Sequence, residues 1–148
     1  MTLRIYLDTN VFIDAFESGA AAVTRGRRVL DHVGAGGAIG VISELVVAEL
    51  LVKPIETGDT EMQAAYEDLF ESTGKIETHP VDRRVLTRAA RLRAASRALK
   101  MPDAIHVATA QIQGCAAFIT SDLRLAPTLG IKAVKLDEFA VANIEALT

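Results

Sequence analysis

Five short runs of strand-forming residues, LRIYL (3–7), AIGVI (38–42), KIETHPV (75–81), AAFIT (116–120) and IKAVKL (131–136), are separated by longer segments whose apolar residues recur at helical spacing. A strand followed by a helix-length crossover returns parallel to its neighbour, so this alternation predicts βαβ units and a parallel sheet with helices on both faces. Helices are expected at about 10–17, 23–34, 44–53, 60–73, 82–99, 103–114 and 138–146. Asp59, Asp82 and Asp137 stand where N-caps belong, Gly74 and Gly114 where helices stop, and Pro54 just past the end of one. The segment GAGGA (34–38) precedes a strand instead of following one, so it reads as a helix stop and turn and not as a phosphate cradle.

No linker, repeat or low-complexity stretch interrupts the pattern, and one domain is expected over residues 1–148. A chain of this length hides about 70% of its unfolded surface, enough for a substantial core. With 50% hydrophobic residues, 5% aromatic and no Trp, that core is built from aliphatic layers, with no aromatic platform for stacking bases. The single Cys115 excludes an internal disulfide and any CxxC motif, which fits a reducing compartment. No apolar run is long enough to span a bilayer, so a soluble, cytoplasmic protein without membrane contact is expected. The formal charge of −3 argues against a generalised phosphate-binding surface, so any nucleic-acid contact must be local.

Ligands of open parallel sheets bind beyond the carboxyl ends of the strands, where acidic residues therefore matter. Asp8, in YLDTNVF, follows the first expected strand, and Asp122, in FITSDLRL, follows the fourth. Each also reads as a helix N-cap. Asp103, in LKMPDAIHVATA, lies in the first turn of a helix opened by Pro102, where the dipole stabilises a negative charge by roughly 0.3–1 kcal/mol. Glu49 sits inside SELVVAELLVK, a helix apolar on most sides, so it is expected to be buried and to need a partner, with Lys53 one turn on as the local choice. Carboxylates gathered at one place raise one another's pKa unless a cation neutralises them, and Mg²⁺ or Mn²⁺ is the hard ion that takes such oxygens. His106, flanked by Ile105 and Val107, reads as a packed histidine with one nitrogen hydrogen-bonded, while His32 and His79 have no acid pattern nearby. Arg83, Arg84, Arg88, Arg91, Arg93, Arg97 and Lys100 crowd the helix before Asp103. They form either a solvated face or a cationic rim, in which Arg88, Arg91 and Arg97 would grip RNA phosphates.

The order LDTNVFID, AEL, PDAIHVATA, TSD resembles the PIN-domain nucleases, and among them the VapC-type toxins of toxin–antitoxin pairs, over nearly the whole chain. The resemblance implies a three-layer α/β/α domain with a central parallel sheet of about five strands. It also implies a Mg²⁺- or Mn²⁺-dependent endoribonuclease in which Asp8, Glu49, Asp103 and Asp122 surround the metal, with Asn10 and Ser121 in support. Its expected partners are an RNA substrate, a cognate antitoxin whose tail covers the acidic groove, and a second copy of the chain. A haloacid-dehalogenase-like phosphatase using Asp8 as nucleophile is the first alternative, although it wants a second Asp where Asn10 stands. The second is a non-catalytic module that binds a partner through apolar surface at 44–53 and 60–70.

Overall fold

All five expected strands form: β1 (Arg4–Leu7), β2 (Ile39–Ser43), β3 (Ile76–His79), β4 (Ala117–Thr120) and β5 (Lys132–Lys135). They make one sheet in the order β3-β2-β1-β4-β5, every neighbouring pair parallel, with Leu7 beside Ile119 and Ser43 beside His79. The structure is a computed structural model that describes residues 2–17, 19, 24–72, 74–126, 130–139 and 144–147. Among the described residues, six helices connect the strands: α1 (Thr9–Glu17), α2 (Arg25–Gly34), α3 (Glu44–Thr57), α4 (Thr60–Ser72), α5 (Arg83–Ala95) and α6 (Met101–Ile112).

Side chains alternate across a pleated strand, and that alternation builds two cores. Ile5, Leu7, Ile42, Ala117 and Ile119 face one layer, where Val11, Phe12, Val29, Val46 and Tyr66 from α1 to α4 meet them. Tyr6, Val41 and Phe118 face the other, against Val85 and Ala89 of α5 and the small residues of α6. Residues Ala104 to Ala110 are all buried, and the short side chains of Ala104, Ala108 and Ala110 let α6 press close to the sheet. Tyr6 and Phe118 stack there with ring centroids 4.8 Å apart. Between α1 and α2 the approach is closer still, because a Cβ on Gly26 would stand 2.3 Å from the Val11 carbonyl oxygen.

Several helix ends depart from the sequence reading. Helix α3 runs through Pro54 to Thr57 instead of stopping before it; Pro54 is buried, and its carbonyl accepts from the Asp59 N–H and the Gln63 side chain. Gly58, at φ 70°, supplies the left-handed stop. Helix α5 ends at Ala95, not near 99, because the Ser96 N–H turns back to the Leu92 and Arg93 carbonyls and the Arg93 guanidinium donates to the Leu99 carbonyl at 2.8 Å. Asp59 and Asp82 cap α4 and α5 through the amides of Met62 and Val85, as expected. Asp137 lies inside a short 3-10 turn, Leu136–Glu138, and pairs with Lys135 at 3.6 Å. The helix expected over 138–146 lies in large part outside the described residues.

Candidate active site

From β1 the chain moves out to β2 and β3, then crosses back through α5 and α6 to lay β4 on the other side of β1. At such a reversal, helices leave adjacent strands for opposite faces and a crevice opens at the carboxyl ends. Asp8 directly follows β1, and Asp122 follows β4 after Ser121.

The Asp8 N–H donates to the Ile119 carbonyl at 3.1 Å, carrying the ladder one step beyond the strand. Its Oδ1 accepts from the amide of Thr9 at 2.8 Å, and its Oδ2 accepts from the Thr120 hydroxyl at 2.7 Å. An ordinary N-cap takes amides two or three residues into the helix, so the Asp8 carboxylate is turned toward β4 instead. Thr120 is wholly buried, and its oxygen also accepts the Asp122 N–H at 3.0 Å, so one hydroxyl ties both acids.

Glu49 is not buried as expected: its side chain is 37% exposed, because the packed side of α3 is Val46, Leu50 and Pro54. Its partner is not Lys53, which pairs with Glu17 at 3.3 Å. Instead Oε1 accepts from the Thr9 hydroxyl at 2.8 Å and from His106 Nε2 at 2.7 Å. His106 corrects a second expectation, since both ring nitrogens are engaged, Nδ1 lying 2.6 Å from the Tyr6 hydroxyl. The hydrogen bond from His106 holds the Glu49 carboxyl below its ordinary pKa.

Asp103, in the first turn of α6, completes the group. Burial raises its carboxyl above the ordinary range, and repulsion from Asp8 and Asp122 adds to this against the attraction of Arg124. Asp122 caps the 3-10 turn Leu123–Leu125 through the Arg124 amide and is clasped by the Arg124 guanidinium, Nε to Oδ1 at 2.9 Å and NH2 to Oδ2 at 2.7 Å. These bonds lower its pKa. Asp103, Asp122, Arg124, Lys100, Leu99 and Ser96 line a cleft of about 380 Å³.

The PIN domain family model matches residues 5–128 of this sequence. The chain belongs to the PIN-domain family. Among solved structures, similar folds include the VapBC2 complex of Rickettsia felis bound to a promoter DNA fragment, with TM-score 0.70, 15% identity, and 90% of this chain aligned to 98% of that one. A toxin–antitoxin complex of Klebsiella pneumoniae gives TM-score 0.68 at 24% identity over 91% and 99% of the two chains. VapC20 of Mycobacterium tuberculosis, described as a sarcin–ricin-loop-cleaving toxin, gives 0.60 at 16% over 77% and 86%. At these identities the likeness is one of fold. No curated protein matches the sequence.

Arg88, Arg91 and Arg97, expected to grip RNA, are not the cations that line the acidic cleft of this PIN domain. Arg88 and Arg91 line a separate hollow on α5 with Arg83 and Arg84, and Arg97, expected on the same helix, sits in the turn beyond its end. Lys100 and Arg124 border the acidic cleft. Asn10 and Ser121 come together, but in a neighbouring groove with Asp14 and Glu17. Among the described residues, no three Asp, Glu, His or Cys side chains already enclose a point where an ion could sit. The donors nonetheless suit a hard divalent cation: all four are carboxylates, and the repulsion felt by Asp103 is what such an ion would relieve.

Proposed function

We propose that this PIN domain is a Mg²⁺- or Mn²⁺-dependent endoribonuclease and the toxin of a type II toxin–antitoxin pair. The observation that carries the reading is the hydrogen-bonded network that draws Asp8, Glu49 and Asp122 to the crevice where Asp103 feels two of them. The solved relatives, described as toxin–antitoxin complexes and in one case as an RNA-loop-cleaving toxin, support the biological setting.

When bound by Asp8, Glu49, Asp103 and Asp122, the divalent ion supplies positive charge at the scissile phosphodiester and lowers the pKa of the attacking water. The chain's own residues do the rest. Thr120 fixes the rotamer of Asp8, and Thr9 with His106 fixes that of Glu49. Lys100 and Arg124 bind the phosphates that flank the scissile one, with Arg88, Arg91 and Arg97 as more distant contacts and Asn10 and Ser121 as polar contacts on the opposite flank. Residues Val52 and Ile55 of α3, 54% and 60% exposed, offer apolar surface to an antitoxin or a second copy of the chain.

The test is end-mapping of total cellular RNA incubated with antitoxin-free protein and Mg²⁺ or Mn²⁺, beside Asp103→Asn and a chelator. Discrete new ends with wild type and metal alone are expected. Folded, metal-binding protein that makes no new ends would overturn the reading.

A further inference from the structure

A line of buried hydrogen bonds runs into Glu49 from the far side of the sheet. The Ser43 N–H donates to the Tyr6 hydroxyl at 3.3 Å, that hydroxyl meets His106 Nδ1 at 2.6 Å, and His106 Nε2 meets Glu49 Oε1 at 2.7 Å. Tyr6 is wholly buried and His106 is 3% exposed, so water does not supply alternative partners. A phenol keeps its hydrogen at neutral pH, so the Tyr6 hydroxyl can both donate and accept.

These contacts leave one consistent placement of protons. Nε2 lies 2.7 Å from a carboxylate oxygen, where a lone pair on nitrogen would meet another lone pair, so Nε2 must carry the hydrogen. The Tyr6 oxygen already accepts from Ser43, and its own hydrogen points to the remaining acceptor in reach, Nδ1. A hydrogen on Nδ1 as well would leave the phenolic hydrogen with no acceptor among the described residues. We propose that His106 is a positioning residue: Tyr6 locks it as the neutral Nε2–H tautomer, and it holds Glu49 by Oε1, leaving Oε2 for the ion or the attacking water. No hydrogen bond to Oε2 occurs among the described residues. This role rests on the nuclease reading above. It leaves neither ring nitrogen free to ligate an ion.

Two measurements on the full chain test it together. In protein labelled with ¹⁵N-histidine, the His106 ring, assigned by its loss in His106→Gln, is expected to show a protonated Nε2 and an unprotonated Nδ1, and Tyr6→Phe to mix the tautomers. A protonated Nδ1 in wild type would overturn the lock. In RNA cleavage, with the target found by end-mapping, His106→Ala is expected to lower kcat about 10- to 100-fold with KM unchanged, as substitutions behind ligating side chains do. His106→Gln, whose amide can donate to Glu49, should recover part of that loss. Because Tyr6 acts through His106, adding Tyr6→Phe to His106→Ala should cost nothing further. Full activity in His106→Ala, or losses that multiply in the double variant, would overturn the role while leaving the nuclease intact. Wild type that cuts nothing, with the tautomer as expected, would remove the nuclease reading and the catalytic role with it.

Discussion

Thr120 has no exposed surface and a side chain of three heavy atoms, yet it holds two of the four acids in place. Hydrogen bonds to charged groups contribute about 1.5–3 kcal/mol, so Thr120→Val, which keeps the shape, is expected to lower unfolding free energy by about that amount in urea titration, and Thr120→Ser by much less. Asp103 carries the opposite sign. Its carboxyl pKa is raised in the folded state, chiefly by burial, so the stability it contributes is complete below the ordinary Asp range and is lost as pH climbs through the raised value. In metal-free buffer, Asp103→Asn should therefore be more stable than wild type at neutral pH, with the gain shrinking toward acid pH. A variant that unfolds earlier than wild type at pH 7 would contradict this. The places of Asp8, Asp122 and Asp103 were legible in the sequence because strand ends in a parallel sheet and a helix opened by Pro102 can be located from pattern alone. Thr120, Arg124 and the engaged His106 were not, because nothing local marks a hydroxyl that meets a carboxylate across 112 positions or an imidazole that meets one across 57. Glu49 shows the same limit. Its helix reads as apolar on most sides, and only the placement of α1 and α6 reveals that its face opens on the crevice.

Elements were read more reliably than their ends. The strands and α1 to α6 follow from spacing, since alternation and helical periodicity are properties of consecutive residues. The end of α5 does not, because it is set by the Arg93 bond to the Leu99 carbonyl and by the burial of Leu99, both fixed by how the turn packs. That early end moves Arg97 and Lys100 off the helix and gives the cleft its lysine. The α1–α2 pair makes the sharpest prediction at this scale. A methyl on Gly26 would stand 2.3 Å from the Val11 carbonyl oxygen and 2.9 Å from the Ala15 nitrogen, both backbone atoms that cannot swing aside. Gly26→Ala must push α2 off α1, and overpacking of this kind costs typically about 1–3 kcal/mol. A lowered denaturation midpoint is expected; an unchanged one would mean the two helices are not so closely apposed.

For the molecule as a whole, a formal charge of −3 means that RNA would be gripped by few cations set against a repulsive background. Lys100→Gln with Arg124→Gln should raise KM for RNA, and the slope of log affinity against log salt should flatten by about 0.7 for each single-strand phosphate that the variant no longer neutralises. An unchanged slope would place the phosphate-binding cations elsewhere, with Arg88 and Arg91 the next to test. Metal linkage is also a property of the whole fold. At a hundredfold excess over its Kd, an ion that binds only the folded state adds about 2.7 kcal/mol, so Mn²⁺ should raise the Tm of wild type and leave that of Asp103→Asn nearly still.

The pairing of β1 with β4 has a consequence for how the chain is made. Asp8 is joined early, and Thr120, which orients it, follows 112 residues later, with Asp122 two residues beyond. Until then the growing polypeptide carries its first acids without the strand that aligns them. The four-carboxylate site proposed above is therefore unassembled until β4 has been made and has docked beside β1.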